Sequence, residues 1–179
     1  VQADQSMYNP AREVERVNER STVSPHVLTA NEVNKLLQAS REGNSSLARR
    51  DYAILLLLLD TGIKVRELVN LNLQDLDLNV GSGYVCVGDN LASGGRCLAL
   101  GSETCAALRA YLRVRASAPD VESMFVSRQG QSLSVRTVQR LVSNCARTAG
   151  LEGVSAQTLR YTFAHDALAV EDMSCVRSE

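Results

Sequence analysis

From Leu28 onward the apolar residues recur at helical spacing. Val33, Leu36 and Leu37 make one stripe, and Thr29 with Glu32 three residues on gives a capping-box signature at its start. A second helix is predicted over 46–61. Its run 54–59 is apolar on every side, the pattern of a central helix surrounded by others. Gly62 ends that helix, and the next, over 64–71, carries Lys64 and Glu67 on one face.

The period then changes. The NLQDLDL string reads as a turn, and 84–87 and 96–100 read as two strands of a hairpin whose tip, 88–95, is rich in Gly and Ser. A helix over 102–115 turns Leu108, Tyr111 and Leu112 inward. Residues 124–126 read as a short strand, and Ser134 caps a helix running to about Ala149, closed by Gly150. On that helix Val138, Leu141, Val142 and Cys145 form the buried stripe, while Arg136 and Arg140 share the outer face. The last segment, VSAQTLRYTFAHD at 154–166, begins a helix on which Leu159, Phe163, Ala164, Ala167 and Leu168 fall at core spacing, so Arg160 rides on a packed element. The expected fold is mainly α (α+β), with a small antiparallel sheet made of the hairpin and a short third strand.

Composition narrows the class. At 179 residues with 45% hydrophobic content, the chain can bury one ordinary core. Residues 1–27 are polar, contain Pro10 and Pro25, and read as a linker before a domain over 28–179. No apolar run approaches the roughly 18 residues of a membrane span and the polar N-terminus does not read as a secretory signal, so a cytoplasmic location away from membranes is expected. The cysteines at 86, 97, 105, 145 and 175 are scattered and lack metal-binding or redox spacing. They are expected to be reduced small hydrophobes, with no metal and no cofactor. A formal charge of -1 gives no global attraction to nucleic acid. Its distribution does, because Arg109, Arg113, Arg115, Arg128, Arg136, Arg140 and Arg147 meet few carboxylates over 101–150 and predict a basic surface.

Two strings, TGIKVREL from Thr61 and QTLRYTFA from Gln157, resemble the TGLRxxEL and HxLRHTFA motifs of the tyrosine recombinase (phage integrase) family. The NPAREVE string at 9–15 resembles the family's connector from an N-terminal DNA-clamping domain. The resemblance implies a helical catalytic-type domain that binds double-stranded DNA. In the family two arginines, a histidine and a hairpin lysine stabilise a phosphorane-like transition state, which fixed donors lower without reorganising.

Position by position, the resemblance retains Arg160 and the supporting Glu67, and substitutes Lys64 for an arginine, Asp89 for the hairpin lysine and Gln157 for the histidine. Lysine lacks the planar fork that holds two oxygens, and glutamine cannot shuttle a proton. Arg96 on the hairpin, and Ser134, Arg136 and Arg140 at the start of the matching helix, are the expected DNA contacts. The resemblance puts the tyrosine nucleophile beyond an LGH string, outside this sequence. Tyr8, Tyr52, Tyr84, Tyr111 and Tyr161 are read as structural or neighbouring residues, and His165 as partly buried and structural. The expected function is DNA binding by a recombinase-like domain with a degenerate active site, inactive in strand cleavage by itself. The alternatives are an active recombinase completed by residues past Glu179, and a module that pairs with an active recombinase or with its own copies.

Overall fold

The computed structural model describes residues 26–42, 46–79, 82–88, 95–115 and 121–175. The expected linker lies outside them except for its last residues. In chain order the elements are α1 (Ala30–Arg41), α2 (Ser46–Thr61), α3 (Val65–Val69), a 3-10 turn (Leu73–Asp75), β1 (Leu76–Asn79), β2 (Ser82–Val87), β3 (Arg96–Leu100), α4 (Ser102–Leu112), α5 (Val135–Thr148) and α6 (Ala156–Cys175).

The core is built round α2. Ile54, Leu55, Leu57 and Leu58 are almost wholly excluded from solvent, and α1, α4, α6 and β3 pack around them. Each such side chain contributes about 1.5–3 kcal/mol by leaving water. A stretch of helix that is apolar on every side is stable where other elements surround it. Its ends are held by polar contacts. Asp60 accepts the Gly101 backbone N–H at 2.7 Å, fixing the start of α4, and buried Arg50 pairs with Asp51 while donating to the Val126 carbonyl at 3.0 Å. The Thr29 and Glu32 capping box at the start of α1 is formed as the sequence predicts.

The sheet has the order β1-β2-β3 with both pairs antiparallel. Its third strand is not where the sequence placed it. Residues 124–126 make only an isolated bridge from Val126 to Ser132, while Leu76–Asn79, all but its last residue read as part of a turn, forms β1. The physical reason lies in what each segment packs against. Met124, Phe125 and Val126 are buried among helices, where the Val126 N–H donates to the Tyr111 hydroxyl at 3.1 Å and the Val126 carbonyl accepts from Arg50. Leu76 to Asn79 instead lie directly opposite Ser82 to Val85 of β2.

Register also overturns the expectation of uniformly reduced cysteines. Cys86 on β2 faces Cys97 on β3, and the two form a disulfide. Cys105 is a buried free thiol and Cys145 a half-buried one whose thiol burial pushes up to about 11. The side chain of Cys175 lies outside the described residues.

The final helix differs from expectation along its length. Leu159 is buried and Phe163 half-buried, but Ala164, Ala167 and Leu168 are exposed, Leu168 at 63%. From Ala164 to Ala169 every residue of α6 is exposed, so the helical period continues past the surface the helix packs on. Among the described residues, no helix is long and apolar enough to cross a membrane.

Candidate nucleic-acid interface

The turn between α2 and α3 is pinned to α6. Gly62 has φ 59°, a left-handed conformation that side chains rarely adopt, and a methyl group there would overlap the Phe163 ring. Nearby, the buried Leu28 N–H donates to Thr162 Oγ1 at 3.0 Å, and the Thr162 hydroxyl in turn donates to the Thr158 carbonyl at 3.0 Å. These contacts fix the rotation of α6. They bring Arg160, one turn before Phe163, to the same cleft as Lys64, two residues after Gly62.

That cleft holds about 350 Å³. Lys64 and Arg66 enter from the start of α3, Val135, Gln139 and Ser143 form one stripe of α5, Ser155 precedes α6, and Gln157 and Arg160 lie in its first turns. Its walls therefore carry three cations and no carboxylate. The first residues of α5 and α6 both border it, so the positive ends of two helices add to the same field. Arg160 and Arg66 are exposed and make no hydrogen bond or ion pair among the described residues. Such a site attracts an anion with several acceptor oxygens.

Beside the cleft, Glu67 is committed to structure. Its carboxylate accepts two bonds from Arg96, at 2.9 and 3.1 Å, and one from the Lys64 backbone N–H at 2.8 Å. The Arg96 guanidinium, backed by that backbone bond, holds the Glu67 carboxyl below its usual range. Arg96, expected to contact DNA, thus spends its fork on tying β3 to α3. Gln157 donates from Nε2 to the Tyr161 hydroxyl at 2.9 Å, one turn along α6. Asp89 lies outside the described residues.

Ser134 serves as the cap of α5, its hydroxyl accepting the Thr137 N–H at 3.2 Å. Arg136 and Arg140 are exposed, each one residue on from the stripe facing the cleft and hence about 100° round the helix. They flank the cleft on its solvent side. The basic block over 101–150 is smaller than its residue count implies. Arg109 donates to the Leu78 and Asn79 carbonyls, both at 3.0 Å, and Arg115 to those of Val121, Ser123 and Met124. Both satisfy backbone groups at chain reversals, a use of arginine that residue counting misses. His165, expected to be partly buried, is exposed and lies 3.3 Å from Asp166.

Arg66 is the cleft cation that no motif letter marks. Its signal was present in the sequence as a second cation two positions after Lys64, at a motif position treated as variable. A separate cleft of about 330 Å³ lies over α1, α2 and α4. There Tyr52 donates to Glu103 beneath the Arg41 guanidinium, and burial pushes the Tyr52 hydroxyl up to about 12.

Residues 26–174 match the phage integrase family. The chain belongs to that family. Among curated relatives, this phage integrase domain is 36% identical over 168 residues to tyrosine recombinase XerC of Thermodesulfovibrio yellowstonii, covering 89% of the chain and 54% of the relative. It is 32% identical to tyrosine recombinase XerD of Bifidobacterium longum, covering 78% and 48%. Among solved structures, XerA recombinase superposes with TM-score 0.71 at 29% identity, covering 80% of this chain and 51% of that one. XerH site-specific recombinase bound to its palindromic difH substrate shares the fold, with TM-score 0.66 at 23% identity over 78% of this chain and 41% of that one. The integrase domain spans about half the length of the curated relatives it matches. Its mainly helical architecture with a small antiparallel sheet is the one the sequence predicts.

Proposed function

We propose that this domain binds double-stranded DNA by holding a backbone phosphate in the cleft between α3, α5 and α6, as part of a protein of site-specific recombination. The observation that carries the reading is the convergence of Lys64, Arg66 and Arg160 on a cleft without a carboxylate. Affinity for a phosphate backbone comes from such cations, and oriented helix ends reinforce it. Arg136 and Arg140 extend the contact along the solvent side of α5. The similarity to XerC, XerD and a DNA-bound XerH recombinase supports the same partner.

The domain binds but does not by itself cut. Gln157 offers an amide that can hydrogen-bond but carries no titratable proton, and Lys64 is a point charge where the resemblance places a forked guanidinium. Loss of one well-placed donor to a developing oxyanion costs roughly a hundred- to a thousandfold in rate. The test combines fluorescence anisotropy on a DNA duplex with a suicide substrate that traps a covalent protein adduct. Binding that weakens in Arg160→Ala, with no adduct in either protein, is expected. An adduct on the wild-type chain would overturn the inactive reading, and equal binding by Arg160→Ala would overturn the cleft.

A further inference from the structure

The cleft contains one cation more than the family resemblance accounts for, and of a different shape. Lys64 stands where a guanidinium is expected, and a compact ammonium on a flexible stem cannot hold two oxygens of one phosphate in a plane. Arg66 lies on the same cleft wall, exposed, and without an ion pair or hydrogen bond among the described residues. Several arginines are committed elsewhere: Arg50 to Asp51, Arg96 to Glu67, Arg109 and Arg115 to backbone carbonyls. Arg66 is available by contrast.

Its backbone is also fixed. The Lys64 N–H is capped by Glu67, the Glu67 carboxylate is gripped by Arg96, and Leu68 is fully buried two residues on. The first turn of α3 cannot rotate without breaking those contacts. A side chain leaving a fixed backbone toward a cleft that Arg160 also lines loses less freedom on binding than one on a loose loop.

Resting on the DNA-backbone reading of the cleft, we propose that Arg66 supplies the planar guanidinium contact to the phosphodiester that Lys64 cannot make. The forked grip has moved two residues along α3. Arg66 and Arg160 take the non-bridging oxygens from opposite walls, and Lys64 contributes charge alone.

The experiment measures duplex binding by anisotropy for the full chain and for Arg66→Ala, Arg66→Lys, Arg160→Ala, and Lys64→Arg combined with Arg66→Ala. Circular dichroism melts confirm that each exposed substitution leaves the fold intact. Arg66→Ala is expected to weaken binding about tenfold to a hundredfold, the range for a lost charge-assisted bond. Arg66→Lys keeps the charge and is expected to recover only part of that loss. Lys64→Arg in the Arg66→Ala background is expected to restore most of it by returning a guanidinium to the same wall.

Unchanged binding by Arg66→Ala while Arg160→Ala weakens would overturn this inference and leave the cleft reading standing. Full affinity in Arg66→Lys would show that charge alone suffices and would overturn the forked contact. Unchanged binding by both Arg66→Ala and Arg160→Ala would overturn the cleft reading together with the inference.

Discussion

Phe163 packs its ring against the bare Cα of Gly62, and this contact ties the turn before Lys64 and Arg66 to the helix that carries Arg160, the three cations bordering one cleft. A helix end and a distant helix are joined where one has no side chain and the other has a flat one. The left-handed backbone at Gly62, with φ 59°, turns the chain sharply enough for α3 to start beside α6.

Gly62→Ala therefore introduces both backbone strain and overlap with an aromatic ring. It should destabilise the fold by about 2–4 kcal/mol, the sum of a left-handed penalty and overpacking. Denaturant melts of the variant check this, and a midpoint equal to wild type would show that Phe163 yields freely.

The Glu67 to Arg96 pair predicts a pH dependence of definite sign. Because the folded state holds the Glu67 carboxyl below its ordinary value of 4.5, the pair stabilises the protein above that value, and the contribution is lost as pH falls through the depressed one. Glu67→Gln should flatten the fall of stability with acid below about pH 5. The pair is partly exposed, so solvent screening keeps the effect modest. Parallel urea titrations at several pH values measure it, and identical slopes in both proteins would count against the pair.

The Leu28 N–H has its buried partner in Thr162. Thr162→Val keeps the shape but removes the acceptor, leaving a buried donor unsatisfied at a cost of about 1–3 kcal/mol. Thermal unfolding reads the loss, and hydrogen exchange at Leu28 should quicken with it.

Bridged cysteines on facing strands make a thiol count diagnostic. In denaturant without reductant, the Cys86→Ser and Cys97→Ser double variant should show the same titre as wild type, since neither residue offers a free thiol. Two fewer thiols in the variant would mean that the pair is reduced. In the folded protein Cys145 should alkylate slowly at pH 8, because its thiol is raised to about 11.

Much of the fold was readable from period alone. The apolar run in α2, the Thr29 and Ser134 caps and the two hairpin strands each carry a local signal, and each is found where that signal lies. What local pattern could not give is contact at a distance. The β1 strand takes its identity from pairing with β2, and 124–126 lose theirs by burial among helices. The disulfide was within reach, since pairing 84–87 with 96–100 sets Cys86 opposite Cys97. For the site, the motifs located Lys64 and Arg160 but not Arg66, which no motif letter marks. Nor could they show that Arg96 binds Glu67 in place of solvent, because that choice depends on how β3 approaches α3.

The cleft as a phosphate grip is tested most directly by the salt dependence of duplex binding, comparing wild type with a Lys64→Ala, Arg66→Ala, Arg160→Ala triple variant. Each phosphate neutralised contributes about 0.9 to the slope of log affinity against log salt concentration. The wild-type slope should be steeper than that of the triple variant by roughly one such contribution, because the three cations share a single phosphate. Equal slopes in the two proteins would contradict it.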